Sequence, residues 1–141
     1  MTKPLYPCLW FDNQARAAAD FYCTIFPNSK IVADNGLVVN FELNGAFFMG
    51  LNGGPKFHFN ESISFVISCK DQAEIDYYWD KLTADGGEES MCGWCKDKFG
   101  LSWQVVPANL GELMSDPARA PRVIAAFMTM RKFDIETLLN A

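Results

Sequence analysis

The sequence predicts an α+β fold in which a β-α-β-β-β module occurs twice and is followed by a helical tail. Three observations predict it: a strand-like run leads into a capped run of helix formers, turn dipeptides cut the next stretch into short strands, and the same order returns after residue 60. With 141 residues, half of them apolar and about a fifth charged, the chain has the size and composition of one globular domain. A chain of this length buries somewhat under roughly 70% of the surface its unfolded form exposes, enough for a core without disulfides or a structural metal.

In the first module, residues 5–11 are apolar and aromatic and read as a strand. Asp12-Asn13 offers a helix N-cap, and residues 14–26 are rich in strong helix formers. Pro27 ends that helix, because proline disfavours α geometry in the residue before it, and Asn28-Ser29 supplies turn chemistry. Three strands are predicted over residues 30–33, 37–43 and 46–51, separated by Asp34-Asn35-Gly36 and Asn44-Gly45. Both separators are hairpin signals, since Asn-Gly accepts the positive φ of a type I′ turn. Residues 52–61, with Gly53-Gly54-Pro55, read as a linker within the domain.

The grammar then repeats. Residues 62–69 are strand-like, Asp71 caps a helix over 72–85, Gly86-Gly87 stops it, and strands are predicted over 88–92, 93–98 and 101–106. The boundaries are a first module over about 1–53, a second over about 60–107 and a tail over about 108–141, all in one domain. In the tail, Asp116-Pro117 opens a helix-compatible stretch, Pro121 suits a first helical turn, residues 123–132 continue it, and Asp134 caps a last helix over 135–140. The apolar face of that tail is expected to pack on the domain or on a second subunit.

Residue correspondences support a duplication. A shift of 58 places Asn13-Gln14-Ala15 on Asp71-Gln72-Ala73 and Phe21 on Trp79, and near the last hairpins a shift of 55 places Gly45 on Gly100. The shift changes only in the strand meander, where loop lengths drift most readily.

Charge and cysteine usage exclude several function classes. The net charge of −5 comes from acidic residues scattered among basic ones, with no positive stripe for a phosphate backbone or an anionic lipid surface, so neither nucleic acid nor membrane is expected as a partner. No stretch approaches 18 uninterrupted apolar residues, and residues 1–12 lack the h-region of a secretion signal. The expected location is cytoplasmic, and the five cysteines, Cys8, Cys23, Cys69, Cys92 and Cys95, are expected as reduced thiols.

Three segments carry a family likeness: Leu9-Trp10-Phe11-Asp12 with Phe21-Tyr22 and Ile25-Phe26-Pro27-Asn28-Ser29-Lys30-Ile31; Asp71-Gln72 with Asp76-Tyr77-Tyr78-Trp79; and Cys92-Gly93-Trp94 with the run from Asp97 to Pro107. They resemble the PhnB-like (3-demethylubiquinone-9 3-methyltransferase-like) branch of the vicinal oxygen chelate superfamily, which also holds glyoxalases, bleomycin-resistance proteins and dioxygenases. The likeness runs essentially end to end, the Asp-Pro-containing tail included. It implies paired βαβββ modules whose mixed sheets form a cupped, partly barrel-like surface, a homodimer, and a small-molecule ligand in the cup. Metal-dependent members hold a divalent ion with four residues, two per module, on the first and fourth strands, and use it as a Lewis acid.

Carried onto this chain by the repeat register, those positions fall on Tyr6, Met49, Ser64 and Gln104. Only Gln104 is a plausible ligand for a hard divalent ion, and Met49 offers a soft thioether. No metal and no cofactor are therefore expected. Period-two alternation sets Ser62, Ser64 and Ser68 opposite Ile63, Phe65 and Ile67, and Ser102 and Gln104 opposite Leu101, Trp103 and Val105. The polar positions are expected to line a pocket with Tyr6, Trp10 and Phe47 as aromatic walls, or else to hydrogen-bond one another or water.

Other signals carry less chemistry. Cys92-Gly93-Trp94-Cys95 has CxxC spacing, but lacks the second ligand pair of a zinc site and the helix N-terminus of a redox motif. His58 is the single histidine and is expected to sit in a loop, and Asp97-Lys98 reads as a solvated turn pair. The glycine-rich strand-to-helix turn of an S-adenosylmethionine fold is missing, so the methyltransferase label is a poor guide to activity. The expected function is small-molecule binding without a metal. The alternatives are a divalent-metal-dependent lyase, isomerase or dioxygenase, and a dimeric structural or regulatory domain with a vestigial pocket.

Overall fold

The computed structural model describes residues 2–141. The chain divides into two compact units, the first ending at Phe59 and the second running from Asn60 to Ala141. The first contains β1 (Cys8–Phe11), α1 (Ala15–Ile25), β2 (Lys30–Asp34), β3 (Val38–Leu43) and β4 (Ala46–Asn52). The second contains β5 (Phe65–Cys69), α2 (Gln72–Thr83), β6 (Glu88–Glu89), β7 (Trp94–Lys96) and β8 (Ser102–Pro107), then α3 (Leu110–Leu113), α4 (Ala120–Phe127) and α5 (Ile135–Leu139).

Each unit folds its four strands into one mixed sheet of the same topology, β1-β4-β3-β2 and β5-β8-β7-β6. The first and fourth strands of each module run parallel and the other pairs are antiparallel. Cys8 pairs with Met49 in the first sheet and Val66 with Gln104 in the second. These two pairs are related by the shifts of 58 and 55 that the sequence suggests, so the repeat register holds at the level of individual strand partners.

The helix of each module covers one face of its sheet. Ala15, Ala18, Ala19, Tyr22 and Ile25, spaced three or four apart, form the buried stripe of α1. They meet the alternate residues Val39, Phe41 and Leu43 of β3, with Phe41 stacked on Phe48 at 5.5 Å and tilted against Tyr22 at 6.1 Å. In the second unit Ile75, Trp79 and Leu82 are the buried residues of α2, and Cys69, Cys95, Trp103, Val105 and Pro107 are buried apolar residues of its sheet.

Several boundaries differ from the sequence reading, each for a local reason. β1 begins at Cys8 rather than at residue 5, because Pro4 and Pro7 have no N–H to give to a ladder, and Tyr6 therefore precedes the strand. The cap of α1 is not Asp12-Asn13: Gln14 occupies the N-cap position without a side-chain bond, and Asn52 at the end of β4 supplies the missing acceptor, its Oδ1 taking the N–H of Ala15 at 2.9 Å. The Asn44-Gly45 hairpin has the expected positive φ at both residues, 50° and 87°. At the other separator the Asn35 side chain organises the turn, accepting from the N–H groups of Leu37 and Val38.

In the second unit β5 starts at Phe65, and α2 ends at Thr83 before the left-handed residues Asp85 and Gly86. Asp71 caps α2 as expected, accepting from the N–H of Glu74. The strands predicted over 88–92 and 93–98 shrink to β6 and β7 because Cys92 and Gly93 are left-handed, with φ of 60° and 81°. Their N–H groups leave the sheet and bond the tail carbonyls of Met130 and Arg131.

The tail packs on the second module. Phe133 is buried against Gly93, where a Cβ would stand 2.3 Å from its ring, so only glycine admits this approach. The Gln72 side chain clamps the same segment, donating to the carbonyl of Phe133 and accepting from the N–H of Ile135, each at 2.9 Å. Pro121 sits in the first turn of α4 and Asp134 caps α5, both as expected, whereas α3 was not anticipated and α4 stops at Phe127. No helix among the described residues is long and apolar enough to cross a membrane.

Candidate functional site

In the first module the sheet face turned away from α1 carries Trp10, Asn40, Phe47 and Met49, with Tyr6 just ahead of β1. The structure brings two of the candidates together there: Tyr6 and Phe47 meet edge to face at 4.8 Å. Trp10 is engaged by its own module, its indole N–H donating to the carbonyl of Gly54 at 2.8 Å and its ring contacting Phe57 at 4.9 Å. Phe59 packs on Phe11, so the stretch read as a loose linker is pinned by aromatic contacts. The amide oxygen of Asn40, beside Met49 in the ladder, is buried without a hydrogen-bond partner.

The corresponding face of the second module is polar and holds a cleft. The ladder pairs Trp94 with Gln104 and Lys96 with Ser102, so period-two pleating sets these four side chains on one face. Gln104 donates its amide N–H to the hydroxyl of Ser64 at 2.9 Å, joining two more candidates. Next to them a cleft of about 460 Å³ is lined by Glu61, Glu88, Glu89, Trp94, Lys96 and Ser102, among others.

Within this cleft Lys96 forms an ion pair with Glu61. The hydrogen bond from Lys96 holds the Glu61 carboxyl below its usual range, and the same bond raises the lysine. Glu89 accepts from the Trp79 indole N–H at 2.5 Å and faces Arg131 at 3.8 Å. Ser102 is only 1% exposed, and its hydroxyl has no hydrogen-bond partner. A buried, unpartnered hydroxyl is costly unless something else bonds it, which makes it the most informative atom of the cleft.

Ser62 is a correction: it lies in a turn before β5, is exposed, and gives its hydroxyl to Asn60 at 2.6 Å, so it is not part of the polar strand face. Lys96, Trp94 and Glu61 are cleft residues that the sequence reading passed over. The alternation that selects Ser102 and Gln104 on β8 would have found Trp94 and Lys96 had the hairpin register been known.

The positions that hold the ion in metal-dependent relatives carry a poor donor set here. Tyr6 meets Phe47 edge to face, Met49 offers only a thioether, and Gln104 turns its amide nitrogen toward Ser64. Among the described residues no group of three or more His, Cys, Asp or Glu is placed to hold an ion. This donor set does not fit a hard divalent cation.

The remaining signals resolve structurally. His58 lies in an exposed loop. All five cysteines are free, and burial pushes the Cys95 and Cys69 thiols up to about 12, the opposite of a reactive thiolate. Asp97 is not a solvated turn residue: it is 2% exposed and accepts from the N–H groups of Phe99 and Leu101 and from the indole N–H of Trp103, which fixes the β7–β8 hairpin. A second groove, between α2 and the tail, is lined by Asp71, Gln72, Asp76, Lys132 and Asp134, each already bonded within the unit.

The family described as 3-demethylubiquinone-9 3-methyltransferase matches residues 3–106. No curated protein sequence matches the chain. Among solved structures, the PhnB protein of Bacillus cereus is 29% identical over 75% of this chain and 100% of its own, with a TM-score of 0.68. Protein PA1353 of Pseudomonas aeruginosa is 17% identical over 75% and 98%, at 0.61, and a glyoxalase-related enzyme of Fulvimarina pelagi is 14% identical over 74% and 87%, at 0.55. At those identities the last two speak for the fold alone. The family match ends ahead of the tail, so the likeness covers both modules and not the end-to-end length that the sequence reading expected. With its two modules inside that match, the chain belongs to the 3-demethylubiquinone-9 3-methyltransferase family, the PhnB-like branch of the glyoxalase/bleomycin-resistance fold.

Proposed function

We propose that this protein binds a small organic molecule in the cleft of the second module and does so without a metal ion. The observation that carries the reading is the buried hydroxyl of Ser102, unpartnered at the wall of a cleft of about 460 Å³. A cavity of that size suits a small ligand, with Trp94 as an apolar wall and a few polar groups to orient it. Binding needs no more than this. Catalysis would need a poised acid or base, and the one lysine of the cleft is tied to Glu61.

The family description names a methyl transfer, but each parallel strand pair here is joined through a helix and a strand meander, with no glycine-rich turn leading a strand into a helix. The protein is proposed to work as a cytoplasmic homodimer, on the strength of the family likeness and of the exposed tail residues Ile124, Met128 and Leu139. Light scattering during size exclusion tests that part: twice the chain mass supports it and a monomer refutes it.

A thermal-shift screen of small molecules, run in EDTA and again with divalent ions, tests the function. A ligand at a hundred times its Kd stabilises the native state by about 2.7 kcal/mol. Stabilisation in EDTA that is lost in Trp94→Ala supports the reading. Stabilisation that appears only with a divalent ion favours a metal-dependent lyase, isomerase or dioxygenase, and none in either condition favours a structural or regulatory domain.

A further inference from the structure

The charges of the cleft are unequal in number and in commitment. Its lining has three carboxylates, Glu61, Glu88 and Glu89, against the single ammonium of Lys96. Lys96 is paired with Glu61, and Glu89 is held by Trp79 and approached by Arg131 from outside the lining. Glu88 stands opposite Lys96 in the ladder and adds to the field that raises that lysine, but no cation among the described residues forms an ion pair with it, which leaves the cleft face one carboxylate in excess. The uncommitted charge on the wall is therefore negative.

Ser102 adds an observation independent of charge. Its hydroxyl is buried and lacks a partner, so it offers lone pairs to a ligand N–H at the edge of the cleft. Trp94 adds an indole on the same sheet face, a surface that attracts both flat rings and cations. Glu89 points to the helix side of the sheet, where Trp79 holds it, so an anion would face Glu61 and Glu88 with the lysine already taken, and a neutral alcohol could give Glu88 one hydrogen bond but no opposite charge. A concave, partly desolvated wall strengthens that preference relative to open water.

Resting on the reading that this cleft takes a small molecule, we propose that its ligand class is an organic cation, an arylalkyl ammonium whose ring lies against Trp94 and whose N–H groups are shared between Glu88 and the Ser102 hydroxyl. The ammonium is the discriminating group. The ring supplies apolar contact common to many ligands.

Three probes of matched shape separate the claim from the reading beneath it: phenethylammonium chloride, 2-phenylethanol and sodium phenylacetate. They are titrated by calorimetry at low ionic strength, with the Trp94 indole N–H followed by NMR. The ammonium is expected to bind about tenfold more tightly than the alcohol, with no measurable binding of the carboxylate. Glu88→Gln is expected to weaken the ammonium by about threefold to fivefold and leave the alcohol unchanged, as an exposed ion pair would. Glu136→Gln, on α5 and outside the cleft lining, should change neither. If alcohol or carboxylate shifts Trp94 as strongly as the ammonium, the cation assignment is overturned while a small-molecule cleft survives. If none of the three shifts Trp94, the cation assignment and the cleft reading both fail.

Discussion

The two modules share strand order and register, and they differ where the fold leaves them free to. Met49 and Gln104 occupy the same place, each between its module's first strand and the middle of its hairpin, yet one is a thioether flanked in the ladder by Cys8 and Asn40 and the other an amide bonded to a serine. On the helix side both modules are constrained to large apolar groups, Phe41 and Tyr22 in one and Trp103 and Trp79 in the other. The opposite face has become aromatic in the first module and polar, acidic and cleft-bearing in the second. The comparison teaches that the duplicated topology is held by one face of each sheet, which leaves the other face to specialise.

The largest expected effect breaks the constrained face. Phe41→Ala removes a fully buried ring that packs on Tyr22 and Phe48, and should destabilise by about 3–5 kcal/mol. Phe47→Ala, on the other face of the same sheet, should cost only about 1 kcal/mol. Urea denaturation of both variants measures the contrast, and equal losses would show that the two faces are not unequal as described.

The next effect sharpens the view that Asp97 is architectural. Asp97→Asn keeps the shape but turns one acceptor into a donor among three donors, and should cost about 2–3 kcal/mol. Near-wild-type stability would mean that the hairpin does not depend on it. Gln72→Ala should follow at about 1–2 kcal/mol, with faster amide exchange at Ile135 because the tail loses its clamp on α2. Unchanged exchange there would show that Phe133 alone secures the tail.

The smallest effect concerns pH. The Asp76 carboxyl is held below its usual range, first by Lys132 at 2.8 Å and then by Gln72. A depressed folded-state pKa contributes stability that is present above the unfolded value of about 3.9 and is lost as pH falls through the folded value. The pair is well exposed, so solvent screening keeps the contribution small. Asp76→Asn should flatten the acid limb of the stability curve slightly and, because the same bond raises Lys132, also trim the stability lost on the far alkaline side, with little change of slope near neutral pH, as thermal melts across pH would record.

Much of the fold was legible because its determinants are local or repeated. Asp71, Asp134, Pro121 and the Asn44-Gly45 hairpin announce themselves through capping and turn chemistry. The repeat shifts equate Met49 with Gln104, and their strand partners Cys8 and Val66 are related by the same shifts. What was hidden depends on residues distant in sequence: Asn52 supplying the α1 cap, Cys92 and Gly93 turning left-handed to bond the tail, and Gln72 reaching Phe133. The candidate site was half legible for the same reason. Serine and glutamine stood out by alternation on β5 and β8, but the cleft beside them is completed by Lys96, Glu61 and Glu88, which come from β7, the turn before β5 and β6.

The central claim is that the polar face of the second module holds the ligand unaided by a metal. Its most direct measurement is two-dimensional amide NMR in EDTA, following the strongest stabilising compound of a ligand screen. The account predicts saturable shifts at the Trp94 indole and at the amides of Lys96 and Ser102. Shifts confined to the Tyr6 and Phe47 face, or none until a divalent ion is added, would contradict it.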